Sequence, residues 1–161
     1  MNHLDRIDRE ILVALQVDGS LSMAHLSDRV GLSATPCWKR VKRLEEEGYI
    51  ERRVAIVNQR KVGLPVTVFV SVRTGQHDEK WLTEFAEAVM ALPEVLEFYR
   101  MSGEVDYLLK VVTTDIDGYD QFYKRLIAAA RLSDVSSAFA MQQIKLTTAL
   151  PLELAAAKGP R

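Results

Sequence analysis

Lys39, Arg40, Lys42 and Arg43 set four cations within five positions, directly behind Thr35-Pro36-Cys37-Trp38 and directly ahead of Glu45, Glu46 and Glu47. The whole chain carries a formal charge of −1, so this positive charge is a local concentration and not a domain-wide basic field. Clustered guanidinium and ammonium groups suit the phosphates of a nucleic acid, and the polar and aromatic residues ahead of them suit base edges or sugars. A second stretch with chemical potential is the loop MSGEVDY, residues 101–107. There Gly103 lets backbone N–H groups approach an anion such as a carboxylate. Asp106 offers a ligand ammonium a charge-assisted hydrogen bond, and Ser137 adds a hydroxyl further along. The same loop also reads as a plain β-hairpin turn, with Gly103 supplying a positive φ and Asp106 bonding locally.

Other chemistries find no support. His3, His25 and His77 are isolated and lack metal-ligand spacing. The chain contains neither a Gly-x-Gly-x-x-Gly fingerprint nor a P-loop. Its single cysteine, Cys37, lies on an apolar helical stripe, which makes it a small core residue and not a nucleophile. The expectation is a protein that is not an enzyme and needs no cofactor. No apolar run approaches the ~18 residues of a membrane span. The charged start MNHLDRIDRE shows no secretory h-region, so the expected location is the cytoplasm, which one unpaired cysteine also suits.

The elements that carry the cationic segment are helices. Leu4, Ile7, Ile11, Leu12 and Leu15 follow helical spacing, with Asp5 and Asp8 near the helix start and Asp18-Gly19 at its end. Ser22 caps a second helix with Met23, Leu26 and Val30 as its apolar positions, and Gly31 stops it. Ser33 is the N-cap of a third helix, and Pro36 falls in its first turn, where a missing N–H costs little. Cys37, Val41 and Leu44 form its inward stripe, which turns Lys39, Arg40 and Arg43 outward or sideways; Gly48 ends it. Three short helices with a tight turn before the third describe a helix-turn-helix. The expected DNA contacts are Ser33, Thr35, Pro36 and Trp38 at the base-reading start of the helix, with Lys39, Arg40, Lys42 and Arg43 on phosphates. Alone, such a run is also an ordinary solvated helix face; the preceding helix and turn favour DNA. Trp38 has two readings, a brace between the two domains or a ring against a DNA sugar. Glu47, four residues after Arg43, suits an intrahelical pair.

Ile50 to Val57 reads as a strand, and the Gly63-Leu64-Pro65 break sets an expected boundary between domains 1–63 and 64–161. The first carries 11 Lys/Arg against 9 Asp/Glu, and the second 10 against 13. In the second, a period-two strand begins at Val66 and a helix capped by Asp78 ends before Pro93. Two β-rich runs follow at 95–101 and 107–112, then a helix from Asp115 or Asp117 with Tyr119, Phe122, Leu126, Ile127 and Ala130 as its stripe. A last strand spans 135–148, ahead of an Ala-rich tail. The order βαββαβ is the ferredoxin-like pattern, giving an α+β chain. Its sheet has one face without helices, and the expectation is that a second subunit covers it, which also gives two readers the symmetry of paired half-sites.

Four stretches, LDRIDREILVALQVDG, LSDRVGLSATPCWKRVKRLEEEGYI, MSGEVDYLLKV and AMQQIK, make the chain resemble the Lrp/AsnC (feast/famine) transcriptional regulators over essentially its whole length. The third matches that family's Gly-x-x-Asp-Tyr loop at Gly103, Asp106 and Tyr107. The resemblance implies a winged helix-turn-helix DNA-binding domain, then a ferredoxin-like domain that binds a small effector, usually an amino acid, at subunit contacts. It implies homodimers that assemble to octamers. Carried onto this sequence, the effector residues are Met101, Ser102, Gly103, Glu104, Asp106 and Tyr107, with Val135 and Ser137 on the other wall, where many members have Thr. The implied function is a sequence-specific transcriptional regulator responsive to an amino acid. The alternative is an amino-acid-sensing module that acts through a protein partner instead of double-stranded DNA.

Overall fold

The computed structural model describes residues 4–75, 78–129 and 132–156. His3, His77, Ala130 and the tail beyond 156, all named above, lie outside them. The chain divides into two compact units, residues 1–56 with 145–161, and residues 57–144.

The first unit holds α1 (Arg6–Val17), α2 (Met23–Arg29), α3 (Ala34–Glu46) and, from the far end of the chain, the short α6 (Leu152–Ala156). Helix α1 starts in a reciprocal capping box: Asp5 accepts the N–H of Asp8 at 2.8 Å, and Asp8 accepts the N–H of Asp5 at 3.1 Å. Ser22 caps α2 through the N–H of His25 at 3.3 Å. The turn into α3 is closed by Gly31 at φ 68°, with Gly31 N–H donating to Asp28 C=O and Leu32 N–H to Ser27 C=O. That pair of bonds satisfies carbonyls that α2 leaves open and requires a left-handed residue, hence glycine. Ser33 occupies the cap position of α3 but makes no side-chain capping bond, unlike the other two caps. The core is Ile11, Leu12, Ala14, Leu26, Val30, Cys37, Val41 and Leu44, with Leu152 packed against it. Each large aliphatic side chain so buried stabilises by about 1.5–3 kcal/mol. The C-terminal segment is tied in by a two-point bracket, in which the Gln16 amide accepts Leu150 N–H at 2.6 Å and donates to Leu150 C=O at 3.3 Å.

The second unit is β1 (Val66–Arg73), α4 (Glu79–Met90), β2 (Val95–Arg100), β3 (Tyr107–Thr113), α5 (Ile116–Ala129) and β4 (Asp134–Phe139). The strands form an antiparallel sheet in the order β2-β3-β1-β4. Asp78 caps α4 through Trp81 N–H at 2.9 Å, and Asp115 accepts Gly118 N–H at 2.7 Å at the start of α5. Val68, Val70 and Val72 point from β1 into a core with Leu109, Val111, Phe85, Val89, Phe122 and Leu126. Trp81, Phe85, Phe98 and Tyr107 pack together within it, Trp81 stacked on Phe85 and the other contacts edge-on or tilted, with centroids 4.9–6.2 Å apart. The other sheet face presents Phe69 and Tyr99, both exposed, around the Glu97–Lys110 pair at 2.7 Å.

Three expectations change. The last strand ends at Phe139 and not at 148, and residues 145–156 belong with the first unit instead of the domain 64–161. Ala140 N–H still reaches Thr67 C=O, but β1 begins at Val66, so an antiparallel neighbour has no ladder beyond that point. Residues 50–57 pair with no strand among the described residues and are not a strand.

Candidate nucleic-acid interface and effector loop

Helix α3 turns Cys37, Val41 and Leu44 into the core, which leaves Ser33, Thr35, Pro36, Trp38, Lys39 and Lys42 exposed. The Trp38 ring is 50% exposed, and the Lys42 ammonium stands 5.4 Å from its centroid, a cation–π arrangement. Lys42 also pairs with Glu46 at 3.5 Å on the open helix surface. Lys39 makes no ion pair with the described residues. The polar and aromatic start of the helix and these two ammonium groups form a surface that fits a duplex groove and its phosphates.

Arg40 and Arg43 depart from the sequence expectation. Arg40 donates to Asp5 at 2.6 Å and to Asp8 at 2.8 Å; Arg43 pairs with Asp8 at 2.6 Å. Arg43 also meets Glu47 at 3.9 Å, the intrahelical pair that the spacing suggested. The Asp8 side chain is only 1% exposed, while the two guanidinium side chains are 32–33% exposed. Burial pushes the Asp8 carboxyl up, but Arg43, Arg40 and the Asp5 N–H outweigh burial and hold it below its ordinary value. Asp5 is held low first by the Asp8 N–H and then by Arg40. Both arginines are thus committed to carboxylates on α1. Sequence reading took Asp5 and Asp8 only as helix-start residues, because their partners lie more than 30 positions away.

In the sheet unit, residues 101–107 form the turn between β2 and β3. Gly103 has φ 115°, a conformation that side-chain-bearing residues rarely adopt, and a Cβ there would meet nothing within 4 Å. Met101, Ser102 and Glu104 are exposed, and Tyr107 is buried in the aromatic cluster. Asp106 accepts the N–H of Thr74 at 2.8 Å, while its own N–H donates to Val72 C=O and its C=O accepts Met101 N–H. Val135 faces Val72 from the opposite side, so loop and Val135 flank the same end of β1. Ser137 lies two residues further along β4, opposite Val70; like Val135 it faces the helix-covered side, where its hydroxyl hydrogen-bonds the Tyr119 hydroxyl. Burial pushes the Tyr119 phenol up, partly offset by that bond. Two residues that sequence reading missed sit here. Thr74, buried, braces Asp106, and Arg73 pairs with Glu104 at 3.5 Å. The polar step Arg73-Thr74-Gly75 directly after an apolar strand was the available signal. Among the described residues, no cluster of His, Cys, Asp and Glu is grouped to hold a metal ion.

Residues 4–51 match the winged helix-turn-helix DNA-binding family, and residues 67–150 match the Lrp/AsnC ligand binding domain. The chain is 50% identical over 151 residues to the DNA-binding transcriptional activator DecR of Escherichia coli K12, covering 93% of this chain and 99% of that protein. It is 44% identical to the glutamate uptake regulatory protein of Zymomonas mobilis, covering 98% and 96%. A crystal structure of an AsnC family transcriptional regulator from Agrobacterium tumefaciens superposes with a TM-score of 0.90 at 59% identity, covering 93% and 98%. A transcriptional regulator from Neisseria meningitidis in complex with L-Met gives 0.91 at 35% identity, covering 95% and 99%. These matches span both units, and with the α3 surface and the Gly103–Asp106–Tyr107 turn they place the chain in the Lrp/AsnC family of DNA-binding transcriptional regulators.

Proposed function

We propose that this regulator reads double-stranded DNA with the start of α3 in the major groove, Ser33, Thr35, Pro36 and Trp38 at base edges and Lys39 and Lys42 on phosphates. The observation that carries this reading is the division of α3, whose apolar stripe is buried while that start is exposed. The second half of the proposal is an amino-acid effector at the 101–107 turn, with Gly103 and the backbone facing a carboxylate, Asp106 facing an ammonium and Val135 nearby. No other cofactor is needed. The relative solved with L-Met makes methionine the first ligand to try. A second copy of the chain covers the open sheet face at Phe69 and Tyr99, and dimers assemble further, to an octamer. Several readers on one assembly raise apparent affinity without new contacts. A regulator of this kind acts on chromosomal DNA in the cytoplasm.

Thermal stability of the full chain against the twenty amino acids, with assembly mass recorded, tests the effector half. A ligand at 100 times its Kd stabilises by about 2.7 kcal/mol. The expected result is at least one amino acid that raises Tm, and loss of that shift in Asp106→Ala with DNA binding retained. A normal shift in Asp106→Ala moves the ligand away from this turn.

A further inference from the structure

We propose that Asp8, assisted by Asp5, withholds Arg40 and Arg43 from the DNA backbone and thereby sets how strongly the reader prefers its own sequence to arbitrary DNA. The inference rests on DNA binding through α3.

Both oxygens of Asp8 are used, Oδ1 by Arg40 at 2.8 Å and Oδ2 by Arg43 at 2.6 Å. Asp5 adds a second carboxylate to Arg40 at 2.6 Å. Two cations thus meet two anions in a cluster whose centre is buried at Asp8, with Glu47 a third, more distant carboxylate 3.9 Å from Arg43. An arginine that left for a phosphate would strand a buried carboxylate, which costs more than an exposed ion pair returns. Of the four cations that crowd positions 39–43, only the two lysines are therefore offered to phosphate. Arbitrary DNA is held almost wholly by phosphate contacts, each contributing about 0.9 to the slope of log affinity against log salt. Sequence is read by groups that this cluster does not touch, at the start of α3. Removing two cations from phosphate contact thus lowers binding to competitor DNA and raises the ratio that decides occupancy in a genome.

The test is the affinity of the full-length protein for a long mixed-sequence duplex between about 50 and about 200 mM KCl. Freed arginines gain phosphates, so Asp8→Asn is expected to steepen the salt slope by up to about two units, an extra loss of roughly tenfold in affinity across that range. A purely structural role predicts an unchanged or flatter slope, and either result overturns the proposal. The triple variant Asp8→Asn/Arg40→Gln/Arg43→Gln is expected to return to the native slope; a slope that stays steep also overturns it. Should Asp8→Asn not fold, the native protein still decides the matter. Arginine side-chain NMR signals of Arg40 and Arg43 are expected to stay in place when the duplex is added, and their movement with DNA overturns the proposal. Failure of the native protein to bind any duplex refutes DNA reading itself, an outcome distinct from native binding with an unaltered Asp8→Asn slope.

Discussion

The reader fixes its exposed helix with charge, whereas the sheet unit fixes its exposed turn with backbone register and aromatic packing. In the reader, α1 and α3 are joined by Asp5 and Asp8 against Arg40 and Arg43 above a core of mostly aliphatic side chains. In the sheet unit, Tyr107 at the end of the turn is clamped by Trp81, Phe85 and Phe98, and Asp106 is tied to β1 through main-chain bonds. Charge is directional, and it loosens when a carboxylate takes up a proton. Apolar packing is indifferent to pH but intolerant of lost volume. The surface proposed to lie on a duplex is held by the first, and the turn proposed to hold a small ligand by the second.

The largest effect expected along this division comes from volume. Phe85 is fully buried and touches three other rings, so Phe85→Ala should destabilise the sheet unit by about 4 kcal/mol in chemical denaturation. Affinity for arbitrary duplex DNA should survive in conditions where the sheet still folds. A loss below about 1 kcal/mol would mean that the aromatic cluster is not what holds the turn.

Acid should act in the opposite sense. Asp5 and Asp8 have native values depressed below the ordinary 3.8, so their contribution is complete above that pH and drains away as pH falls below it. In the sheet unit the Glu97 carboxyl is held below its ordinary 4.5, chiefly by Lys110, on the open face and away from the core. The Glu97 pair starts to weaken below 4.5 and the reader's carboxylates only below 3.8, but the reader should lose more Tm in that lower range because Asp8 is buried between two arginines, at about 4–8 °C for each kcal/mol lost, as followed by helical circular dichroism. Coincident loss in both units would break the comparison.

The smallest effect tests what the two units share. Each opens a helix with an aspartate cap, and Asp78→Ala should cost about 1 kcal/mol by thermal melting. Asp5→Ala should cost more, because Asp5 also holds Arg40. Equal losses would argue that the Asp5–Arg40 bond adds nothing.

Local signals in the sequence carried far. The caps at Ser22 and Asp78, the left-handed stop at Gly31, and the inward stripe of Cys37, Val41 and Leu44 depend on residues within one or two turns of each other, and the structure has them all. The order βαββαβ followed from periodicity. What was not legible depends on distant partners. Arg40 and Arg43 looked like phosphate ligands because nothing near them in sequence disclosed a buried aspartate on α1. Met141, Ile144 and Leu146 looked like more strand, but an apolar residue makes a strand only where a neighbour offers a ladder, and β1 stops at Val66. Ser137 has the right chemistry for a ligand, but the alternation of β4 turns it, like Val135, under the helices, where it meets the Tyr119 hydroxyl. Residue types were thus legible in the sequence, and the orientations and distant partners of those residues were not.

The Gln16 bracket on Leu150 has a consequence for how the molecule is put together. Because residues 145–156 complete the packing of the helices at the start of the chain, the sheet unit is topologically an insertion, spliced into the reader between residues 56 and 145. Closing so long a loop as a random coil would cost the reader about 4 kcal/mol of chain entropy, but an insert that has already folded brings its own ends to fixed positions and removes much of that cost. The helical unit, begun ahead of the sheet unit in the chain, is thus finished only after it.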